Sequence, residues 1–395
     1  MALDFARSQR STIGVEWELQ ILDPAGDLSP VAPQLLQEVE HRAPGNGLIH
    51  QEMLRNTIEL VSRKRTTVAG CAQDLQEALD LLAPVLAEHG VELAGAGSHP
   101  FAEPGAQAVS ETERYSELVE RTQYWGRQML IFGTHVHVGV EDRAKVVPIM
   151  RHLATYLGHI QSLSASSPFW DGLDTGFADN RAMMFQQLPN AGLPEPFTNL
   201  AELEELVAGL TRVGAIGDIS ELRWDLRPAP RLGTVEVRVC DAASNMLELR
   251  AVAALIHCLV EDASRALDAG DLPKVLPHHF VTANKWRSAR YGMDAVLIED
   301  ARGRQEPVRL RLPALVARLE PVAADLGCAG DLDAIVGILA GGVGYERQRA
   351  VAQRTGSLDA VVAHLRSEMG AGRPLDPGGT PRLDAVHAPV SGNRG

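Results

Sequence analysis

Three segments of the chain alternate polar and apolar residues with a period of two, which is typical of a strand lying between a core and a polar surface. These segments are residues 13–22, 133–140 and 233–241. Valine and tryptophan fill one face of the segments. The other face carries charged or imidazole side chains, namely Glu16, Glu18, His135, His137, Glu236 and Arg238. We therefore predict one sheet whose concave face is a polar site.

The rest of the chain predicts mainly helices, because apolar residues recur at spacings of three and four. The predicted helices are residues 66–88, 111–125, 146–163, 200–210 and 246–267, followed by a mainly helical remainder to about residue 370. Shorter strands are predicted at 52–62 and 91–97. Antiparallel-type strands mixed with runs of helices indicate an α+β fold rather than a doubly wound parallel sheet.

Two segments show neither the period of two typical of strands nor the spacing of three and four typical of helices. Residues 164–185 are rich in serine, aspartate, glycine and aromatic residues, and a loop of this length inside a compact domain is usually functional. Residues 371–395 are rich in glycine and proline, which predicts a disordered or loosely attached tail. We therefore expect a single catalytic domain over residues 1–370, followed by this tail.

Composition narrows the class of protein. The 395 residues are 45% apolar, enough for a full hydrophobic core. The net charge of −14 argues against general affinity for nucleic acids or for anionic membranes. Four widely spaced cysteines without a CxxC pair indicate reduced thiols in a cytoplasmic protein. Neither a signal peptide nor an apolar run of membrane-spanning length is visible in the sequence.

The polar face admits several interpretations. Glutamates with a histidine suggest Mg²⁺ or Mn²⁺, because these ions prefer oxygen ligands. The HxH pair could instead ligate zinc in a hydrolase. The glutamates could also be solvated edge residues, and Glu236 with Arg238 could form a structural ion-pair ladder. Arg227 and Arg231 stand just upstream, and such guanidinium groups bind phosphate or carboxylate oxygens. No glycine-rich phosphate-loop motif is present, so a nucleotide would have to bind on this sheet.

Five blocks follow one another between residue 13 and about residue 295. They are IGVEWELQ, GTHVHVGV, SSPFWDGLDTGFADNRAMMF, RWDLRPAPRLGTVEVRVCDA and NKWRSARYGMDA. In this order they resemble the glutamate–cysteine ligases of the second bacterial type, also called carboxylate–amine ligases. Trp17, between the two glutamates, and Gly233, before the third strand, depart from the usual pattern. Neither departure removes a charged position.

The resemblance implies a fold similar to the catalytic half of glutamine synthetase, which is a curved, largely antiparallel sheet with helices on its convex side. It also implies ATP and Mg²⁺ as cofactors, with Mn²⁺ as an alternative. The implied reaction joins the γ-carboxylate of glutamate to an amine through γ-glutamyl phosphate. Metal ions would neutralise the phosphates during this transfer.

The resemblance also implies roles for individual residues. Arg238 resembles a contact to the transferred phosphoryl group, and Glu236 and Arg238 are the expected catalytic pair. The expected metal ligands are Glu16, Glu18, Glu59, His137 and Glu236. The expected substrate or nucleotide contacts are Asn180, Arg181, Arg227, Arg290 and Glu52. Arg181 could instead only tie down its loop, and Arg290 could only cap a helix.

The identity of the amine stays open, with cysteine as the default. The expected partners are small-molecule substrates, and a homo-oligomer is compatible with the sequence. Two other functions are kept as alternatives. One is a metal-dependent hydrolase that uses the HxH pair with the glutamates, and the other is an inactive glutamate- or nucleotide-binding protein.

Overall fold

The computed structural model describes residues 3–378, apart from the side chain of Arg114. The predicted tail lies outside the described residues from residue 379 onwards. The strands are β1 Ile13–Leu22, β2 Ile49–Gln51, β3 Thr57–Val61, β4 Glu92–Ala94, β5 Gly133–Gly139, β6 Phe169–Trp170, β7 Leu173–Asp174, β8 Ala191–Gly192, β9 Arg223–Trp224, β10 Leu226–Ala229, β11 Thr234–Asp241, β12 Val296–Ile298 and β13 Gln305–Pro307.

Helices fill most of the remaining described chain. They are α1 Ala32–Arg42, α2 Val68–His89, α3 Glu113–Thr122, α4 Tyr124–Arg127, α5 Arg143–Ser164, α6 Asn180–Phe185, α7 Leu200–Arg212, α8 Met246–Asp268, α9 His278–Tyr291, α10 Val308–Asp325, α11 Ala329–Gly341, α12 Gly344–Thr355 and α13 Leu358–Ala371. None of these described helices is both long and apolar enough to span a bilayer.

All three alternating segments join one antiparallel sheet. Its strands run in the order β10-β11-β5-β1-β3-β2, and β4 pairs with the far end of β1. The central strand β5 is flanked by β1 and β11, so the HxH segment lies between the other two alternating segments. The sequence predicted that these segments share a sheet, and the structure confirms it.

One face of this sheet is the floor of the main hydrophobic core. Val15, Trp17, Val136, Val138 and Val237 are all fully buried there. Helices α2, α5 and α8 pack against strands of the sheet. The indole of Trp17 donates to the carbonyl of Ala243 at 3.0 Å, so the tryptophan between the two glutamates belongs to the core side of the sheet.

Gly233, the second residue that departs from the family pattern, lies in the turn between β10 and β11. Gly233 has a φ of +68°, a conformation that residues with a Cβ rarely adopt. A Cβ at this position would also lie 2.3 Å from the carbonyl oxygen of Ala6. Glycine at position 233 is therefore required by both the turn and the N-terminal segment that crosses it.

Several element boundaries differ from the predicted ones. The strand predicted over residues 52–62 is β3 alone, because the amide of Thr57 donates to the carbonyl of Leu54 and closes a turn before it. The helix predicted over residues 111–125 breaks into α3 and α4 at Gln123, whose φ is +48°. Pro84 lies within α2 without ending it. The predicted loop over residues 164–185 contains α6 and the small hairpin β6–β7.

The C-terminal helices pack on the rest of the described chain through charged as well as apolar groups. Arg347 of α12 is buried between Glu248 of α8 and Glu368 of α13, with N–O distances of 2.6 to 2.9 Å. A second, smaller apolar cluster lies where α12 and α13 meet β4. These contacts attach α12 and α13 to the rest of the described chain.

Candidate active site

A cleft of about 340 Å³ opens over the polar face of the sheet. Its floor is formed by β1, β3, β5 and the strand pair β10–β11, and its walls come from segments near residues 52–57, 115–131, 181–188 and 220–227. The charged and imidazole residues that line it are Glu16, Glu18, Glu52, Glu59, His135, Arg181, Arg223, Arg227 and Arg238. Apolar residues at its wall include Met53, Leu118, Met129, Phe185 and Leu188.

Strand register explains why these residues meet. Residues directly opposite in an antiparallel pair lie on the same face of a sheet. Glu18 of β1 is opposite Glu59 of β3, and Glu16 of β1 is opposite His135 of β5. On the other side of β5, Glu236 of β11 is opposite His137 of β5 and also opposite Arg227 of β10.

Glu16 joins the two histidines of the HxH pair. Its two carboxylate oxygens lie 2.9 Å from Nδ1 of His135 and 3.1 Å from Nε2 of His137. Burial alone would raise the pKa of Glu16, but these two hydrogen bonds outweigh it and hold the pKa well below its usual range. Glu16 is therefore a carboxylate at neutral pH.

His135 carries an unused lone pair. Burial and the charge of Arg238 lower the pKa of His135 to about 4, so its ring is neutral at pH 7. A carboxylate can only accept a hydrogen bond, so Nδ1 carries the proton that Glu16 receives. Nε2 is then an acceptor, and this buried atom has no hydrogen-bond partner among the described residues. It lies 3.8 Å from Oε1 of Glu18, where a cation between them would satisfy both.

Glu18, Glu52 and Glu59 crowd three carboxyl groups at one end of the cleft. Burial, together with the charge of Glu52, raises the pKa of Glu18 to about 8 and the pKa of Glu59 well above its usual range. Glu18 also accepts a hydrogen bond from the amide of Gly133. Glu52 accepts one from the hydroxyl of Tyr115 at 3.3 Å. Ionising these carboxyl groups together is costly unless positive charge is added between them.

Glu236 and two arginines form the opposite end of the polar face. Nε of Arg227 donates to Oε2 of Glu236 at 2.5 Å, and Arg238 donates to Oε1. Burial would raise the pKa of Glu236, but Arg238, His137 and Arg227 lower it strongly. Nε of Arg238 is buried and has no hydrogen-bond partner in the described part of the chain.

The donor atoms are close enough to hold cations. Three groups have ligand atoms within 4.8 Å of one another, and they are Glu16 with His137 and Glu236, Glu16 with Glu59 and His135, and Glu18 with Glu52 and Glu59. Each group is dominated by carboxylate oxygens, which suits Mg²⁺ or Mn²⁺. Within residues 3–378, none of the groups contains both histidines of the HxH pair. That arrangement does not favour the tetrahedral zinc site of the hydrolase alternative.

The side chain of Arg181 reaches the cleft by passing over Gly133 of β5, which has no side chain to block it. A Cβ on Gly133 would lie 2.1 Å from Nη2 of Arg181. Nη1 of Arg181 donates to the carbonyl of Arg238 at 3.3 Å, and its guanidinium lies 5.8 Å from the ring of Phe185. Nε of Arg181 is buried and has no hydrogen-bond partner among the described residues. The structure thus brings Arg181 together with the other predicted site residues.

The loop that carries Arg181 is anchored at the end of β11. The amide of Ser166 and the hydroxyl of Ser167 both donate to Oδ2 of Asp241 at 2.7 Å. The Ser167 hydroxyl accepts in turn from the amide of Arg181 at 3.0 Å. The buried carboxyl group of Asp241 therefore fixes the backbone from which the Arg181 guanidinium extends.

Four predicted site residues do not line the cleft. His137 and Glu236 are buried beneath it, bonded to Glu16 and Arg227 of the polar face. Arg290 and Asn180 lie outside the polar face. Arg290 donates to the carbonyl of Gly176 and lies against the rings of Phe177 and Tyr291, at 5.7 and 5.0 Å. These contacts tie the loop over residues 164–185 to α9. Asn180 is buried at the start of α6, where its backbone N–H donates to the carbonyl of Ser167.

Sequence reasoning missed residues that the fold brings to the site. Tyr115 and Arg223 line the cleft, although no periodic pattern marks them. Lys285 of α9 makes a buried ion pair with Asp225 at 2.5 Å, and the carbonyl of Asp225 accepts the amide of Arg238. The NKWRSARYGMDA block therefore approaches the sheet through its lysine. In the sequence, Lys285 is marked only by its position in the NKWRSARYGMDA block, which was already one of the five blocks that resemble the family.

The family model described as "Glutamate-cysteine ligase family 2" matches residues 12–364. A protein of Mycobacterium tuberculosis (strain H37Rv), provisionally named glutamate–cysteine ligase 2, is 48% identical over 369 residues, which cover 93% of this chain and 97% of that protein. A protein of Arthrobacter sp. (strain FB24), provisionally named glutamate–cysteine ligase 2-1, is 47% identical over 377 residues, with 93% and 98% coverage.

Two solved structures share the fold at 14% sequence identity. One is a glutamate–cysteine ligase of Francisella tularensis in complex with AMP, with a TM-score of 0.65 over 93% of this chain and 94% of that chain. The other is a bifunctional glutathione synthetase of Pasteurella multocida, with a TM-score of 0.63 over 91% of this chain and 52% of that chain. These likenesses confirm the predicted glutamine synthetase-like α+β fold.

Proposed function

Because this chain belongs to glutamate–cysteine ligase family 2, we propose that it is an ATP-dependent ligase that joins the γ-carboxylate of glutamate to an amine. The observation that carries this proposal is the composition of the cleft. Carboxylates able to hold hard cations lie beside guanidinium groups able to hold a phosphoryl group, on one face of one sheet. Phosphoryl transfer needs both kinds of group next to each other.

The donor set fits divalent metal ions. Glu16, His137 and Glu236 would hold one ion, and Glu18, Glu59 and Glu52 would hold another. The raised pKa values of Glu18 and Glu59 support this assignment, since a cation would offset the cost of their negative charge. Bound Mg²⁺ would supply charge neutralisation for the polyphosphate of ATP, and Mn²⁺ has similar ligand preferences.

Arg238 is proposed to contact the transferred phosphoryl group. Glu236 fixes one nitrogen of its guanidinium, while Nε is buried and lacks a described hydrogen-bond partner. Such a preorganised donor stabilises the charge that spreads over the transferring oxygens. Glu236 thus orients Arg238 and also faces the metal site.

Arg181, Arg227 and Glu52 are proposed as substrate contacts in the cleft. Arg181 and Arg227 offer guanidinium groups to a carboxylate or phosphate. Glu52 offers a carboxylate to a cation or an amine. Asn180 and Arg290 lie away from the cleft, so we assign them to holding the loop over residues 164–185 in place.

The proposed reaction has two steps. The γ-carboxylate of glutamate first attacks the γ-phosphoryl group of ATP, which yields γ-glutamyl phosphate and ADP. The amine then attacks the acyl carbon and expels phosphate, and it needs to be held next to the acyl phosphate to compete with water. Cysteine is the default amine, in keeping with the family.

The deciding experiment measures ADP release with ATP, Mg²⁺ and glutamate against a panel of amines that includes cysteine. We expect release that depends on both glutamate and one preferred amine, with formation of the matching γ-glutamyl amide. Omitting glutamate is the matched control. Binding of ATP without ADP release under every condition would instead support the inactive binding protein. Amide or ester hydrolysis without ATP would support the hydrolase.

A further inference from the structure

A groove of about 400 Å³ lies on the helical side of the molecule, away from the polar face of the sheet. It is formed by α5, α8, α10 and the segment between α8 and α9. Leu272 and Pro273 of that segment line it, together with Tyr156 of α5. The residues that line the groove differ entirely from those that line the cleft.

Three cationic side chains converge on this groove in a protein whose net charge is −14. They are Lys274, Arg311 and Arg318. Nζ of Lys274 lies 5.4 Å and Cζ of Arg318 lies 5.9 Å from the centroid of the Tyr156 ring. Like charges placed this close repel one another unless negative charge lies among them.

Two carboxylates offset part of this positive charge. Oε2 of Glu299, a fully buried side chain, accepts from Nε of Arg311 at 3.0 Å and from Lys274 at 3.4 Å. Oδ2 of Asp262 accepts from Nη1 of Arg318 at 2.7 Å. Three cations and two carboxylates leave one net positive charge, so the groove suits an anion.

His152 adds a requirement for a hydrogen-bond donor. It lines the groove, is only 4% exposed, and places Nδ1 3.0 Å from the carbonyl of Lys274. A carbonyl only accepts, so Nδ1 carries the proton of the neutral ring. Nε2 is therefore an acceptor, and this buried atom has no hydrogen-bond partner among the described residues. The nearest carboxylate oxygen, Oδ2 of Asp262, is 3.9 Å away and cannot donate when ionised.

We propose that this groove is a binding site for inorganic phosphate. The hydrogen phosphate ion is an anion that also carries an O–H group. Its oxygens accept from Arg311, Arg318 and Lys274, while its hydroxyl donates to Nε2 of His152. Sulfate has the same shape but no hydroxyl near neutral pH, so it leaves Nε2 unsatisfied. A site built to bond a hydroxyl rejects an analogue that lacks one.

Calorimetric titration of the full-length protein with phosphate and with sulfate tests this proposal. We expect phosphate to bind at least about tenfold more tightly than sulfate, the scale of one hydrogen bond to a charged group. Arg318→Gln should weaken this phosphate binding by about tenfold or more for the same reason. Arg318 is partly exposed, so the fold should tolerate the change. Lys274→Met provides a second variant with the same expectation.

Arg302→Gln is the matched control, because it removes one positive charge from an exposed residue that does not line the groove. It should bind phosphate as the wild type does. Phosphate held only by the cleft arginines would bind equally to wild type, Arg318→Gln and Lys274→Met, and would overturn the proposal. Equal affinity for sulfate and phosphate, or no binding by the wild type, would overturn it as well. None of these outcomes depends on the ligase activity.

Discussion

Glu18 shows how strongly the cleft needs added positive charge. Its carboxyl group is enclosed with those of Glu52 and Glu59, and its pKa is raised to about 8 by burial and by Glu52. Glu18→Gln keeps the shape of the side chain and removes one charge from this cluster. We expect turnover to fall by more than about 10²-fold, because even residues that only orient a metal ligand cost 10 to 100-fold when replaced.

Metal titration and melting temperature should be measured alongside turnover for Glu18→Gln. Glu195→Gln, at an exposed position outside the cleft, is the control and should behave as the wild type. A large fall in melting temperature with retained metal affinity would contradict a metal role for Glu18.

The two histidines of the HxH pair are predicted to differ. His137 lies opposite Glu236 and shares a candidate metal group with it and with Glu16. We expect His137→Ala to weaken Mg²⁺ or Mn²⁺ binding about tenfold more than His135→Ala does. Calorimetric metal titration of both variants checks this. Equal losses would mean that the free lone pair of His135 is also a ligand.

Arg238→Lys retains the positive charge but loses the planar fork of the guanidinium. We expect turnover to fall by at least about 10²-fold, the scale of losing one preorganised donor, while ATP affinity changes much less. Steady-state kinetics and a nucleotide-binding titration separate the two effects. An unchanged turnover with a raised Michaelis constant for glutamate would show that Arg238 holds the substrate carboxylate instead.

Period-two alternation predicted which face of the sheet the strand residues occupy, whereas no local pattern predicted where side chains on loops and helices point. Glu16, Glu18 and Glu236 alternate with buried valines or tryptophan, so the period of the chain fixes their face. Arg290 lies on a helix next to a loop, and its direction depends on packing that no local pattern records. The lysine of the same block, Lys285, points to the sheet instead.

At the scale of elements, the strands and long helices were predicted but their pairing was not. Nothing in the sequence places β5 between β1 and β11, since strand order depends on contacts between segments far apart in the chain. The strand predicted over residues 52–62 was too long because Met53 and Leu54 are apolar. Leu54 instead pairs with Val109 outside the sheet and closes a turn.

Glu299 links three elements and should set part of the acid stability. It follows β12, accepts from His159 of α5 at 2.8 Å and is bonded by Arg311 of α10. Burial would raise the pKa of Glu299, but His159, Lys274 and Arg311 lower it to about 2, against 4.5 for a free side chain. Between pH 2 and pH 4.5 the unfolded chain therefore binds a proton at Glu299 that the folded chain does not. The free energy of unfolding falls as the pH falls from about 4.5 to about 2.

Glu299→Gln should lower the free energy of unfolding at pH 7 by on the order of 3 kcal/mol and flatten its acid dependence. Urea unfolding at a series of pH values measures both effects. Glu306→Gln, which removes a partly exposed carboxylate that pairs with Arg304, is the control and should retain the wild-type slope. An unchanged slope in Glu299→Gln would refute the assignment.

At the scale of the whole molecule, the C-terminal helices are held by a buried arginine. Arg347 of α12 donates hydrogen bonds to the carboxylates of both Glu248 and Glu368. Arg347→Met leaves both carboxylates buried without it, so we expect a loss of about 3–5 kcal/mol in the free energy of unfolding. Chemical denaturation checks this value.

Arg349→Met is a matched control from the same helix. Arg349 pairs with Asp174, whose side chain is 48% exposed, and such a pair contributes about 1 kcal/mol or less. If the two variants lose similar stability, the buried cluster is not what attaches α12 and α13 to the rest of the molecule.

The cross-strand register of the sheet also limits how such a protein can change over evolutionary time. Five strands each contribute to one polar face, and each contribution depends on a residue opposite it. Inserting or deleting one residue within any of these strands would turn its side chains to the core and bring valines into the cleft. Length variation is therefore expected in the connecting loops, while the strands can diverge only by substitution.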